Sequence, residues 1–491
     1  MDGAQLPPIP QLTLFPGTER QDVDAVAITK GWMSRLDSLL TTRNFNDLNE
    51  LIIDDGWWRD ILGLDWDFTS KQGLGAIAEY LTGAPNPLSG LQCDEAGGLK
   101  PLLIELGGMT WIQGGFSFKT PFGEGRGFVR LVNVGPAVWK AWIVFTQLEQ
   151  LAFQKTLEEQ RIRHPSAAPR KATDGVANLP QAGHEEDVTS GAHAGGSIGL
   201  YGDQTSVAGE GPTGWRFLEE AVSQSDPSYA DQISDLQEKK VVVVGASTSG
   251  HDVAQDFVEC GAKGVSMIQR NPIFSISAAA FEEQVIGLWN MPGVTTEEAD
   301  LVGNSIPLAV IRTMSIGMTQ SMYAKDKEMV DGLRKAGLAV RTGEDGFGLA
   351  DHQLIKGGRF YIDQGASQMI VDGRIKIHRC EEGVREFREK SVVLADGTEV
   401  EADVVVLATG FQPCVRSVEQ VMGAEVAKKL DNLGDLDHEN ERIGWWRPTG
   451  IPGFWYMTGS FLWCRQFSMT LALQIAAIEK GLNPSHYTRS A

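Results

Sequence analysis

Residues 241–257 read VVVVGASTSGHDVAQDF. Four consecutive valines suit a strand buried on both faces of a parallel sheet. A glycine turn and an amphipathic run follow, so the stretch reads as strand, turn and helix. Gly245 permits the tight turn, and Gly250 lets the helix pack closely on the strand. Backbone amides from Ser247 through Thr248 and Ser249 to Gly250 then lie at a helix start, where the negative charge of a pyrophosphate is favoured. Val253, Ala254, Phe257 and Val258 supply the buried helix face, and Gly261 suits a left-handed cap. Ser247 replaces the middle glycine of a GxGxxG turn. The alternative is a structural turn that binds nothing.

The second strand, SMIQR, ends at Gln269 and Arg270. A site for NAD would place an acidic residue there, against the ribose 2′-hydroxyl. Arginine instead makes paired charge-assisted bonds to a 2′-phosphate, which favours NADPH over NADH. A solvated strand-end arginine is the plainer alternative.

Around this unit the chain changes character. Asp24 to Leu40 and the run LGAIAEYL near residue 77 space apolar residues at helical intervals. The runs LLIELG, TWIQGGFSFKT, GRGFVRLVNV and AVWKAWIVFTQL follow as strands, giving an α+β domain over 20–150. The stretch 151–237 has no apolar period and is rich in small and polar residues, so it reads as a linker, a disordered stretch or a degenerate segment. After the βαβ unit, Thr295 and Glu298 have capping-box spacing, and helical pattern continues to a stop at Gly337. IKIHR reads as a strand, and Asp396-Gly397 as a hairpin turn.

Composition narrows the function. The net charge of −21 at pH 7 opposes nucleic-acid binding. The start has no basic and apolar leader pattern, and the late apolar stretch is broken by Arg465, Gln466 and Gln474, which favours a buried helix over a membrane span. Cys93, Cys260, Cys380, Cys414 and Cys464 form no CxxC pair, so a reducing cytoplasmic setting is expected. His352, His378 and His438 lack ligand spacing, and no metal site is expected. His251 is expected to position its helix rather than catalyse.

GASTSG with its arginine strand end, YIDQGASQ at 361–368, VVVLATGF at 404–411 and PGFWYMTGSF at 452–461 together resemble the flavin-containing monooxygenase family. More narrowly, they resemble a fungal, YUCCA-like branch that carries a SnoaL-like cone at its N-terminus. The resemblance implies an α/β chain. A Rossmann-like NADPH-binding domain spans 238–390, a partial FAD-type domain spans 391–491, and the α+β SnoaL-like cone precedes them. It implies an FAD- and NADPH-dependent monooxygenase that oxygenates a small organic secondary metabolite. Carried over by position, Gly245, Ser247, Thr248, Ser249, Gly250 and Arg270 would bind NADPH, and Ala408, Thr409, Gly410 and Gly459 would lie near FAD. The catalytic residues are not identified.

The family's second glycine turn, which holds FAD, is not recognisable. GAHAGGSIGLYG at 191–202 follows no buried strand and precedes no amphipathic helix. Without that half, the apolar VVVVLATG-type strands are expected to lack a cover, which a partner or a second copy in a homo-oligomer would supply. The alternatives are a mis-joined product of a fuller relative and a shortened, non-redox nucleotide-binding scaffold. A further alternative places isomerase or cyclase chemistry in the cone, where WWRDILGLDWDF offers Trp57, Trp58, Arg59, Asp60 and Asp65. The plainer reading makes these tryptophans core and the cone a docking domain.

Overall fold

A computed structural model describes residues 6–154, 238–410, 412–430 and 432–483. The linker expected at 151–237 falls, from residue 155 onward, outside the described residues, as does the glycine run 191–202. The chain divides into two units. One takes the described residues within Met1–Ile9, His193–Met291 and Leu308–Asp435. The other takes those within Pro10–Ala192, Pro292–Pro307 and Leu436–Ala491.

The second unit contains the cone. Helix α1 (Ala25–Thr42) opens on Asp24, whose carboxylate accepts from the Ala27 amide at 3.0 Å. Strands β1 (Ile52–Ile61) and β2 (Phe68–Gln72) precede helix α2 (Leu74–Gly83). Strands β3 (Ser89–Cys93), β4 (Leu102–Leu106), β5 (Met109–Lys119), β6 (Gly123–Gly135) and β7 (Val138–Leu151) complete the sheet. The strand order is β2-β1-β7-β6-β5-β3, with β4 also paired to β5. Only β1 and β7 pair in parallel; the other neighbours are antiparallel. Trp32, Leu36, Trp58, Phe116, Phe118 and Val144 form the core between sheet and helices.

Strands β1 and β2 were not read from the sequence, where WWRDILGLDWDF gave candidate site residues or, more plainly, core tryptophans. The acidic pair Asp54-Asp55 and Gly56 break the alternation there. Strand β1 is nonetheless buried on both faces from Gly56 to Ile61. Trp58 enters the cone core, while Arg59 meets residues from distant parts of the chain. Its guanidinium holds Glu441 through two bonds, at 2.8 and 2.9 Å, and donates to the Asn304 carbonyl at 2.5 Å. Ser70 donates to the same Glu441 at 2.7 Å, and Arg447 pairs with Asp67 at 2.7 Å and Asp437 at 2.9 Å. The late apolar stretch forms the helix Phe461–Glu479, which sets Phe467 against Phe68 at 5.5 Å and Arg465 on Asp300 at 2.7 Å. It is buried along one face and leaves Met469 and Ile475 exposed on another.

The other unit carries the βαβ element. Strand β8 (Lys240–Val244), helix α3 (Thr248–Glu259) and strand β9 (Gly264–Gln269) form the strand, helix and second strand read from the sequence. Strand β10 (Phe274–Ser277) pairs in parallel with β11 (Phe360–Asp363). Strand β12 (Ile375–Arg379) joins β9, and the meander β13 (Val384–Arg388), β14 (Ser391–Leu394), β15 (Glu399–Glu401) turns at Gly397, whose φ is +90°. Strand β16 (Val404–Leu407) pairs in parallel with β8, giving the order β12-β9-β8-β16.

Two features bear on the expectations here. First, β16 joins the sheet of the βαβ element and the separate meander packs on its face, and the described residues up to Asp435 fall in that unit. Second, the apolar strands are covered by their own chain. Val242 and Ile268 pack against Val392, Leu394 and Val400 of the meander, while Val241 and Val243 face Ala254, Val330 and Tyr361. The helical pattern after Thr295 is also interrupted. Thr296–Asn304 has both capping-box bonds, at 3.2 and 2.9 Å, and belongs with the cone. Beyond Pro307, Leu308–Lys325 and Lys327–Lys335 belong with the βαβ element.

Arg59 and Glu441 are both buried, so removing one leaves the other charge without its partner. Arg59→Met is expected to lower stability by about 3–5 kcal/mol in denaturant unfolding. Adding Glu441→Met should restore much of that loss; a double variant as unstable as the single one would show that the pair is not what matters.

Candidate functional site

The glycine turn is dictated by backbone contact. Gly245 has φ of +123°, and a Cβ there would lie 2.2 Å from the Ala408 carbonyl oxygen. A Cβ on Gly250 would lie 2.1 Å from the Gly245 carbonyl oxygen. Neither position accepts a side chain without moving main chain. Because β16 runs parallel to β8, its exit through Ala408, Thr409 and Gly410 emerges beside Gly245. Strand β9 lies on one side of β8 and β16 on the other, so β8 is the point where the winding reverses. The crevice outside the carboxyl ends at such a reversal is where open parallel sheets bind nucleotides.

Within the turn, side chains and backbone have separate tasks. The Ser247 and Thr248 hydroxyls donate to the Phe360 carbonyl, at 3.2 and 2.8 Å. They therefore hold β11 to the turn. What remains for an anion is the backbone: the first main-chain bond of α3 runs from the His251 amide to the Ser247 carbonyl at 3.1 Å, so the amides of Thr248, Ser249 and Gly250 precede it. This turn fits a pyrophosphate through its amides, with Ser249 exposed and Gly250 buried.

Gln269 and Arg270, adjacent in sequence, are used in opposite ways. Gln269 is buried and clamps residue 339, donating to its carbonyl at 2.9 Å and accepting from its amide at 2.7 Å. Arg270 follows β9 with an exposed side chain that has no ion pair among the described residues. It is thus open to a 2′-phosphate. His251 lies under the turn, its Nδ1 3.1 Å from the Ser247 carbonyl and its ring stacked on Tyr361 at 4.2 Å. Burial pushes its pKa down to about 4. Tyr361 in turn accepts from the amides of Gln364 at 2.8 Å and Ala366 at 3.3 Å. Sequence reading noted YIDQGASQ only as a family signature and missed this stack and the Phe360 carbonyl; no local pattern announces either.

The residues assigned to FAD are divided. Ala408, Thr409 and Gly410 share the crevice of Gly245, whereas Gly459 belongs to the other unit, with φ of +104° and its would-be Cβ 3.1 Å from the Trp463 ring. In the cone, Asp60 is buried in a polar knot. Thr146 donates to it, as do the Leu64 amide at 2.9 Å and the Tyr80 hydroxyl at 3.1 Å, while the Trp58 indole donates to Thr146 at 3.1 Å. Burial pushes Asp60 up to about 7 and also raises Asp65. Trp57 is buried as well.

No protein-family model matches the chain. The indole-3-pyruvate monooxygenase YUCCA1 of Oryza sativa subsp. japonica is 26% identical over 184 residues, covering 36% of this chain and 38% of the relative. The chain resembles flavin-containing monooxygenases. It matches that relative over well under half of the relative's own length. Among solved structures, a mutant cyclohexanone monooxygenase from Rhodococcus sp. Phi1 bound to NADP+ is 15% identical, covers 53% of this chain and 56% of that one, and has a TM-score of 0.33. An NTF2-like protein with a cystatin-like fold from Novosphingobium aromaticivorans is 14% identical, covers 27% of this chain and 88% of that one, and has a TM-score of 0.20.

Two variants should separate packing from conformation. Gly245→Ala is expected to cost roughly 3 kcal/mol or more, since backbone must move. Gly261→Ala, also at positive φ but with nothing within 4 Å, should cost only about 1–2 kcal/mol. Unfolding curves of the two variants read the difference, and equal costs would refute the contact argument. His251 gives a pH dependence. Between its ordinary value of 6.5 and about 4, the unfolded chain takes up a proton that the folded chain refuses. Stability therefore falls as pH drops through that window. His251→Phe should remove the His251 share of the slope in that part of the stability–pH curve and leave that of His352.

Proposed function

We propose that the chain is an NADPH-binding oxidoreductase of the flavin-dependent monooxygenase kind, acting on a small organic metabolite. The observation that supports this best is the crevice at the carboxyl ends of β8 and β16, with glycine backbone at its floor and the unpaired Arg270 at the neighbouring strand end. Thr248, Ser249 and Gly250 would hold the pyrophosphate by their amides, and Arg270 would select the 2′-phosphate. His251, kept neutral by burial, would fix the start of α3. FAD, when bound, would supply the oxygen-activating chemistry. The described residues gather one dinucleotide cradle and no second glycine turn beside it, so no step is assigned to the flavin.

The second reading is a non-redox nucleotide-binding scaffold. It is favoured by the use of the Ser247 and Thr248 hydroxyls inside the fold, on the Phe360 carbonyl. Chemistry in the cone has less behind it, because the Asp60 carboxyl is already engaged by Thr146, Tyr80 and the Leu64 amide.

An absorbance spectrum of the purified protein, followed by NADPH oxidation with added FAD, distinguishes the two. A yellow protein that consumes NADPH supports the oxidoreductase. A colourless one that binds NADPH without consuming it supports the scaffold. In either case Arg270→Ala should weaken NADPH about tenfold or more and leave NADH nearly unchanged. An equal effect on both nucleotides would remove Arg270 from phosphate recognition.

A further inference from the structure

Gly357, Gly358 and Arg359 adopt φ of +68°, +65° and +59° in succession. Glycine does this freely, but Arg359 is held in a conformation that L side chains rarely take. The stretch is fastened to the glycine turn. The Ser247 and Thr248 hydroxyls both donate to the Phe360 carbonyl, one residue on, and a Cβ on Gly358 would lie 3.7 Å from Ser247 Oγ.

A group of cations gathers on this arm. The Lys356 ammonium lies 4.9 Å from the centre of the Phe347 ring, and the Arg341 guanidinium lies 5.5 Å from the same ring. The Arg341 Nη1 is 3.0 Å from His352 Nε2. Burial first, and then the charges of Arg341, Lys356 and Arg359, push His352 down to about 4, so it adds no charge of its own. Nearby carboxylates are largely committed: Asp345 to Arg341 at 3.3 Å, and Asp351 to Arg312 at 2.8 Å. Lys356 and Arg359 are exposed and have no ion pair among the described residues, in a chain of net charge −21.

We propose that Lys356 and Arg359 form a cationic arm that grips the pyrophosphate of the dinucleotide held at the glycine turn. This rests on the reading of the crevice as an NADPH site. A glycine at 359 would relieve the strain, and an arginine there makes sense where its charge is used. The arm reads a charge that NADPH and NADH share, whereas Arg270 reads the phosphate that only NADPH carries.

The test is calorimetric titration of the full chain with NADPH, NADH and inorganic pyrophosphate. Arg359→Gly suits the purpose because glycine keeps the left-handed backbone without strain, and Lys356→Gln removes charge from an exposed site. Each should weaken NADPH and NADH alike, by about tenfold, and reduce the salt dependence of binding. Unchanged affinity, or a loss confined to NADPH, overturns the proposal. If the unaltered protein binds neither dinucleotide, the NADPH reading fails, and inorganic pyrophosphate then decides the arm separately. Binding that disappears in the double variant supports the arm; absent or unaltered binding overturns it.

Discussion

Between Gly245 and the Ala408 carbonyl there is no room for a side chain, and the candidate site depends on that close approach. It lets β16 lie parallel to β8 along its whole length and brings two loops, distant in sequence, to one crevice. Because the pairing is non-local, the crevice cannot form in the βαβ segment alone. The meander β13–β15 then closes the face of the sheet that α3 leaves open, so Val242 and Ile268 are buried without a partner chain. The candidate cleft thus rests on one backbone contact, and the cover of the sheet on the meander that precedes β16.

The cone unit solves a different problem. It is assembled from segments that are separated in sequence, and its seams carry buried ion pairs beside aromatic contacts such as Phe467 on Phe68. Arg59 holds Glu441 and the Asn304 carbonyl, Arg130 reaches Ser305 at 2.7 Å, and Arg447 holds Asp67 and Asp437. Buried ion pairs contribute little net stability, because desolvation offsets most of their attraction. Their directional bonds can still fix register. Glu441 accepts from both Arg59 of β1 and Ser70 of β2, and a shift of that strand pair against the C-terminal segment would lose both. That is a reason for such residues to lie at seams between segments rather than in the aromatic core beneath.

Much of the local structure was legible in the sequence. The valine run, the capping box at Thr295 and the Asp396-Gly397 turn each encode their geometry within a few residues. Segment membership was not legible, because no local property distinguishes Thr296–Asn304 from Leu308–Lys325 as belonging to different units. What separates them is Pro307 and the partners each meets after folding, such as Arg59 for Asn304 and Asp351 for Arg312. Strand β1 was missed for a related reason. Its alternation fails in sequence because both of its faces are buried, one by apolar core and the other by a charged seam. Of the candidate site, the glycines and Arg270 stand out in the sequence as expectations, while the Phe360 carbonyl and the Tyr361 ring are joined to the turn only across long stretches of chain.

A serine in the middle of the glycine motif departs from the usual cradle, in which glycine lets a pyrophosphate approach the backbone. The geometry argues otherwise. Ser247 has φ of −96°, ordinary for any L residue, so glycine is not needed for conformation. Its hydroxyl is bonded to the Phe360 carbonyl, which accounts for the one group that could have stood in the ligand's way. The two positions where a side chain is sterically impossible, Gly245 and Gly250, have kept glycine. The substitution therefore falls at the one motif position where this fold can absorb a side chain, and it ties the cationic arm to the turn.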